Sequence, residues 1–243
     1  MRALNCIVTG GSRGIGLAIA ERFAAAGASC TLLARNGEAA AAAAASLATS
    51  HGQTHRGVAF DVGAVGRPWT SDDLGLDLST VDVLVNAAGI AQYSLLLATP
   101  AAATTAVVNT NLLGTIFGSQ AVARPMVRRK RGVIINLSSV LAFRSGRGSA
   151  VYAATKAGVV GFTTALAHEL GPKNVRVNAI CPGLIATDMV ASMAPAMDAA
   201  ITGAIPLGRK GTVAEVADAA FFLATNTYAN GTVLALDGGL GVA

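Results

Sequence analysis

Charged side chains are scarce in this 243-residue chain, at 13%, and aromatic ones scarcer still, at 5%. With 53% hydrophobic residues beside so few charges, a disordered chain is excluded, because ample apolar surface is available for burial. Yet no uninterrupted apolar run is long enough to cross a bilayer. The lack of aromatics among the basic residues argues against nucleic acid, since single strands are held by bases stacked on rings. Cysteine is limited to Cys6, Cys30 and Cys181, an odd set without metal-type spacing. Buried free thiols are expected, not a disulfide framework or a zinc site. His51, His55 and His168 form no ligand pattern and are expected to be solvated. No metal site is predicted. No secretory signal is visible ahead of the first strand, which begins almost at Met1.

What the chain does have is a steady alternation of short apolar runs with helical stretches. Strands are predicted near 5–9, 30–34, 57–60, 81–86, 133–138, 175–181 and 232–236. This pattern predicts an α/β fold with a seven-stranded parallel sheet covered by helices on both faces. Neither linker nor repeat interrupts it, so residues 1–243 read as one domain. The alanine run Ala39–Ala45 suits an ordinary helix of the second crossover, alanine being the best helix former. Long helices are expected over about 100–130 and 151–170. Between Asp61 and Val81, Gly63, Gly66 and Pro68 leave room only for a brief helix from about Trp69.

Two motifs carry chemistry. The run Ile7-Val8-Thr9 ends in Gly10-Gly11-Ser12-Arg13-Gly14-Ile15-Gly16, and an amphipathic stretch follows to Ala26. Strand, glycine turn and helix together suit a pyrophosphate, which the helix N-terminus attracts and the glycines let approach. The second motif is Tyr152-Ala-Ala-Thr-Lys156, just downstream of a strand ending in Ser138-Ser139. Four residues apart on a helix, phenol and ammonium share a face. A nearby cation is expected to draw the phenol pKa, ordinarily about 10, toward neutrality. Proton transfer to a substrate oxygen held by a serine hydroxyl would follow.

These motifs, with Asn86-Ala87-Ala88-Gly89, Asn111, Pro182-Gly183 and Leu236-Asp237-Gly238-Gly239, resemble the short-chain dehydrogenase/reductase family in order and spacing. Within it, the chain is most similar to the 3-oxoacyl-[acyl-carrier-protein] reductases of the fungal mitochondrial type, through 109–114, 205–209 and 224–230. The resemblance implies a doubly wound Rossmann fold and a reductase of the mitochondrial matrix or cytoplasm. It assigns proton donation to Tyr152, ribose binding and tuning of the phenol to Lys156, and a hydrogen bond to substrate oxygen to Ser139. Asn111 would hold a water linking Lys156 to solvent. Gly10, Ser12, Gly14, Ile15 and Gly16 would cradle the pyrophosphate. Asp61, Val62, Asn86, Ala88 and Gly89 would line the adenosine side, and Pro182, Gly183, Ile185 and Thr187 would position the carboxamide.

The second strand ends in Arg35 where NAD enzymes usually carry an acidic residue for the ribose 2′-hydroxyl. Arg35 and Arg13 together suit a 2′-phosphate, so NADPH is the expected cofactor. The Ala- and Met-rich stretch from Thr187 to Ile205 would form a pliable apolar lid. Arg128, Arg129 and Lys130, with Lys173, are expected to dock an acidic acyl-carrier protein, in keeping with a net charge of +5. Resemblance also implies a homotetramer, with Gly158, Val159, Gly161 and Phe162 as contacts across a two-fold axis. Two features depart from the bacterial relatives. Ala91-Gln92-Tyr93-Ser94 replaces a segment that commonly holds Arg-Asp, and Ser149 stands where many have Gln. Reduction of free ketones, polyketide intermediates or quinones is therefore an alternative, and a non-catalytic NADPH-binding scaffold a second.

Overall fold

Alternate residues of the central strands face opposite ways, and both ways are apolar, so a core forms on each side of the sheet. The computed structural model describes residues 4–242 apart from Val65, Ser145 and Ser192. Its strands are β1 Asn5–Thr9, β2 Ser29–Ala34, β3 Arg56–Ala59, β4 Val83–Asn86, β5 Gly132–Leu137, β6 Val175–Pro182 and β7 Val233–Leu236. All pair in parallel, in the spatial order β3-β2-β1-β4-β5-β6-β7. The predicted ends differ from these by at most two residues.

The helices are α1 Gly14–Ala25, α2 Gly37–Ala45, α3 Ser71–Leu74, α4 Ala101–Val108, α5 Gly114–Arg129, α6 Ala150–Leu170, α7 Asp188–Ala191, α8 Pro195–Gly203 and α9 Val213–Thr225. Val8, Val85 and Ile135 pack with Ile19 and Phe23 of α1 and Leu223 of α9. Their sequence neighbours Ile7, Leu84 and Ile134 pack on the other face with Val122 and Met126 of α5 and Ala167 of α6. Sheet growth reverses between β1 and β4, and the carboxyl ends of these two strands flank a crevice, the usual ligand position in such sheets.

Three details differ from the sequence reading. The helix expected over 100–130 is interrupted at Asn109–Leu113 by a wider π turn, a feature common at functional sites. His55 is not merely solvated: its Nδ1 accepts from the Cys30 amide at 3.2 Å, and its Nε2 lies 2.9 Å from the Ala48 carbonyl. Trp69 is buried edge-on against Phe60, 5.2 Å between centroids, ahead of α3 rather than in it. The three cysteines are free and buried, as expected. Residues 150–173 are long and apolar enough to cross a membrane by length and composition, but Thr155, Lys156, Val159, Thr163 and Ala167 of α6 are buried within the protein.

Candidate active site

The glycine loop leaves β1 at the crevice. Gly10 and Gly14 have φ of +65° and +56°, a left-handed backbone that side chains disfavour. A Cβ on Gly10 would lie 2.9 Å from the Ala88 Cα, and one on Gly16 only 2.3 Å from the Gly10 carbonyl. The loop is thus folded tightly on itself and against β4. Thr9 secures that contact, its Oγ1 accepting from the amides of Ala87 and Ala88 at 3.0 and 2.9 Å. The loop borders a cleft of about 470 Å³ that extends to Arg35, Asp61 and Val62 on one side and to Ala88, Gly89 and Thr187 on the other. Ser12, Arg13 and Ile15 line it beside the first turn of α1, whose free amides suit a pyrophosphate.

Both predicted arginines reach the cleft. Arg35 follows β2, while Arg13 pairs with Asp188 at 3.6 Å, both side chains largely exposed. Sequence reasoning missed Asp188, which nothing local links to Arg13. Asp61 turns its Oδ1 to the Gly63 amide at 2.9 Å and still borders the cleft. Asn86 does not line it. Its amide is buried behind β4 and donates to Asn136 Oδ1 at 2.9 Å and Ser119 Oγ at 3.1 Å, because Asn86 and Asn136 are register partners on β4 and β5. The side chain expected on the adenosine side thus ties β4 to β5 instead of facing the cleft.

At its inner end the cleft meets a second cavity of about 190 Å³ at Ile15 and Thr187. Ser139, from the end of β5, and Tyr152, from the first turn of α6, line this cavity. Lys156 lies one turn further along α6, buried, its Nζ donating to the Leu137 carbonyl at 2.8 Å and 5.6 Å from the Tyr152 ring centroid. Ser138 donates to the Lys156 carbonyl at 2.7 Å and so ties the strand to the helix. The expected drop in the phenol pKa is absent. Burial pushes Tyr152 up to about 12, with the hydrogen-bonded Ser139 pulling the other way, and burial lowers Lys156 to about 8. Burial disfavours the charged form of each group, so it raises the phenol and lowers the amine.

Asn111 projects from the π turn. Its Oδ1 accepts from the Ile90 amide at 2.9 Å, and its Nδ2 donates to the Ile90 carbonyl at 3.0 Å and to Thr155 Oγ1 at 3.3 Å. A Cβ on Gly89 would lie 3.4 Å from Asn111 Oδ1 and 3.6 Å from Lys156 Nζ, so all three converge.

Residues 5–198 match the short chain dehydrogenase family. The chain belongs to that family. It is 43% identical to the 3-oxoacyl-[acyl-carrier-protein] reductase of Chlamydia trachomatis over 97% of this chain and 96% of that one. With the human 3-oxoacyl-[acyl-carrier-protein] reductase it shares 40% identity over 97% of each chain. Among solved structures, a 3-oxoacyl-[acyl-carrier protein] reductase from Brucella melitensis with bound NAD superposes with a TM-score of 0.86 at 32% identity, covering 99% of this chain and 92% of the other. As a short chain dehydrogenase, this chain is an oxidoreductase that binds a nicotinamide cofactor.

In this short chain dehydrogenase the end of β6 packs closely on the segment after β7. Pro182 and Gly183 border the inner cavity, and a Cβ on Gly183 would come within 2.8 Å of the Asp237 backbone. Ile185 bridges to Gly211, and Thr187 Oγ1 donates to the Ile185 carbonyl at 3.3 Å. Beyond them Val190, Met193 and Ile201, from the stretch expected to form a lid, line the cavity together with Leu240. Lys210 tethers α8 through Asp198 at 2.6 Å.

The basic cluster needs a correction. Arg128 and Lys130 are exposed, and Lys130 closes α5 with φ of +50°. Arg129 is turned inward, pairing at 3.2 Å with buried Asp82, which Arg131 also meets at 3.3 Å. Two of the tetramer candidates are also engaged within the chain. Val159 is fully buried, and Gly158 packs on Leu112, whereas a Cβ on Gly161 would meet nothing within 4 Å.

Proposed function

We propose that the chain reduces a 3-oxoacyl thioester, carried on acyl-carrier protein, to the 3-hydroxyacyl form with NADPH. The observation that carries this reading is Ser139 and Tyr152 facing an apolar cavity that opens from the end of the dinucleotide cleft. A reduced nicotinamide bound there supplies hydride to the substrate carbonyl. Ser139 holds the carbonyl oxygen, and Tyr152, neutral at working pH, gives it a proton. Lys156 supplies the cation that favours the resulting phenolate and reaches the ribose hydroxyls. Asn111, beside Lys156 and Gly89, holds a water for proton return. Arg35 and Arg13 hold the 2′-phosphate, Arg13 by exchanging Asp188 for it.

Arg128 and Lys130 dock the acidic carrier, and the assembly is a homotetramer. Sequence similarity to reductases of carrier-bound substrates over nearly full length supports the substrate class. The test compares acetoacetyl-carrier protein with acetoacetyl-coenzyme A, expecting lower KM for the former. Tyr152→Phe should cut kcat on both by at least about 10²-fold with dinucleotide affinity unchanged. Equal KM values would favour a reductase of free ketones, the reading suggested by the altered 91–94 segment. Normal turnover in the variant would remove Tyr152 from the mechanism.

A further inference from the structure

Helix α6, which carries Tyr152, begins without a cap of its own: Ser149 at its N-cap makes no side-chain hydrogen bond to the first turn. The amides of Val151 and Tyr152 sit where an N-cap side chain would ordinarily serve them. Gln92, far away in sequence, serves both instead. Its Oε1 accepts from Val151 N at 2.9 Å and from Tyr152 N at 3.1 Å. Its Nε2 donates to the Ser94 carbonyl at 3.1 Å and to Thr99 Oγ1 at 3.0 Å. Both acceptor positions and both hydrogens of the amide are then used. Its orientation is not a free choice, because two N–H groups on one side demand the oxygen there. The side chain is buried and borders the inner cavity, as do its neighbours Ala91 and Tyr93.

We propose that Gln92 is a positioning residue that sets the depth of Tyr152 in the cavity and couples it to the 93–99 loop at the cavity mouth. The loop's remaining contacts support this role. Thr99 Oγ1 also lies 2.8 Å from Ser94 Oγ and donates to the Leu95 carbonyl at 2.9 Å, so the loop is one knot that the Gln92 amide draws to α6. Movement of the loop as an acyl chain enters is thereby passed to the residue that protonates the product. The coupling rests on the proposed role of Tyr152, whereas the hydrogen-bond junction does not.

Two variants separate the halves of the amide. Gln92→Ala removes cap and tether together. Gln92→Glu keeps an oxygen for the two amides, where the helix terminus favours negative charge, but sets its second oxygen against the Ser94 carbonyl, which weakens the tether to at most a bond from the Thr99 hydroxyl. Hydrogen–deuterium exchange needs no substrate. Gln92→Ala should accelerate exchange in both 93–99 and 150–153, and Gln92→Glu only in 93–99. In steady state with acetoacetyl-coenzyme A, Gln92→Ala should lose about tenfold in kcat with dinucleotide affinity unchanged. Gln92→Glu should recover kcat to within about threefold while KM for the thioester stays raised. Wild-type kcat in Gln92→Ala, or identical exchange and kinetics in the two variants, overturns the proposal. Absence of thioester turnover in the wild type would instead sink the substrate assignment and leave the exchange result to decide on Gln92.

Discussion

Burial, more than the neighbouring ammonium, governs the two titrating groups of the site. With Tyr152 up to about 12 and Lys156 down to about 8, the phenol keeps its proton throughout the working range, while the ammonium is lost as pH rises through about 8. The alkaline limb of kcat/KM should therefore belong to Lys156 and fall near pH 8. In Lys156→Arg, whose guanidinium stays charged, that limb should move beyond pH 10 whatever the absolute rate. A limb that stays near 8 in the variant would assign it to another group. Cofactor choice is decided at the same scale. The wild type should prefer NADPH over NADH by at least about tenfold, some 1.4 kcal/mol, and Arg35→Asp should erase or reverse that ratio through repulsion of the 2′-phosphate. An unchanged ratio would place the phosphate elsewhere. The positions of Arg35, Tyr152 and Lys156 were legible because chain spacing sets them after a strand or on one helix face, and that of Ser139 through the resemblance. The inward turn of Asn86 was not, since it depends on register with Asn136, and neither was the Arg13–Asp188 pair, made by the glycine loop and the start of α7, distant in sequence.

Among elements, the strands were readable because each is a short apolar run bounded by turns. The π turn at Asn109–Leu113 was not, since the composition of 101–129 suits an uninterrupted helix and only the tertiary hydrogen bonds of Asn111 to Ile90 and Thr155 mark the widened turn. The end of α5 raises a similar question of direction, because four basic residues in a row point different ways. Changing Arg128 and Lys130 to Glu should raise KM for carrier-protein substrate and leave the small thioester untouched. That effect should shrink above about 0.1 M salt, where exposed charges are screened over roughly 10 Å. Arg129→Glu should behave differently. It leaves Asp82 buried against a like charge, so it should lower the thermal midpoint and both activities together, a loss on the order of 3 kcal/mol. Equal kinetics of the Arg128/Lys130 variant on the carrier substrate would leave that helix end merely solvated.

For the whole molecule, α6 presents an outer face of small residues. Ala154, Ala157, Gly161 and Ala165 on it are exposed, and the space above Gly161 is open, as close helix approach across a two-fold axis requires. Light scattering at micromolar concentration should give a mass near four times 24.2 kDa; a monomeric mass would refute the tetramer. The dinucleotide cleft has a different consequence. Its walls come from the ends of β1, β2 and β4 together with Thr187 and Asp188 beyond β6, so no fragment of the chain contains it. A dinucleotide consequently binds the finished fold and not its precursors, and at a hundred times Kd it adds about 2.7 kcal/mol to stability by mass action. In a cell, this ties the enzyme's survival to its coenzyme pool. When that pool shrinks, a larger unfolded fraction meets the proteases, so abundance follows coenzyme supply.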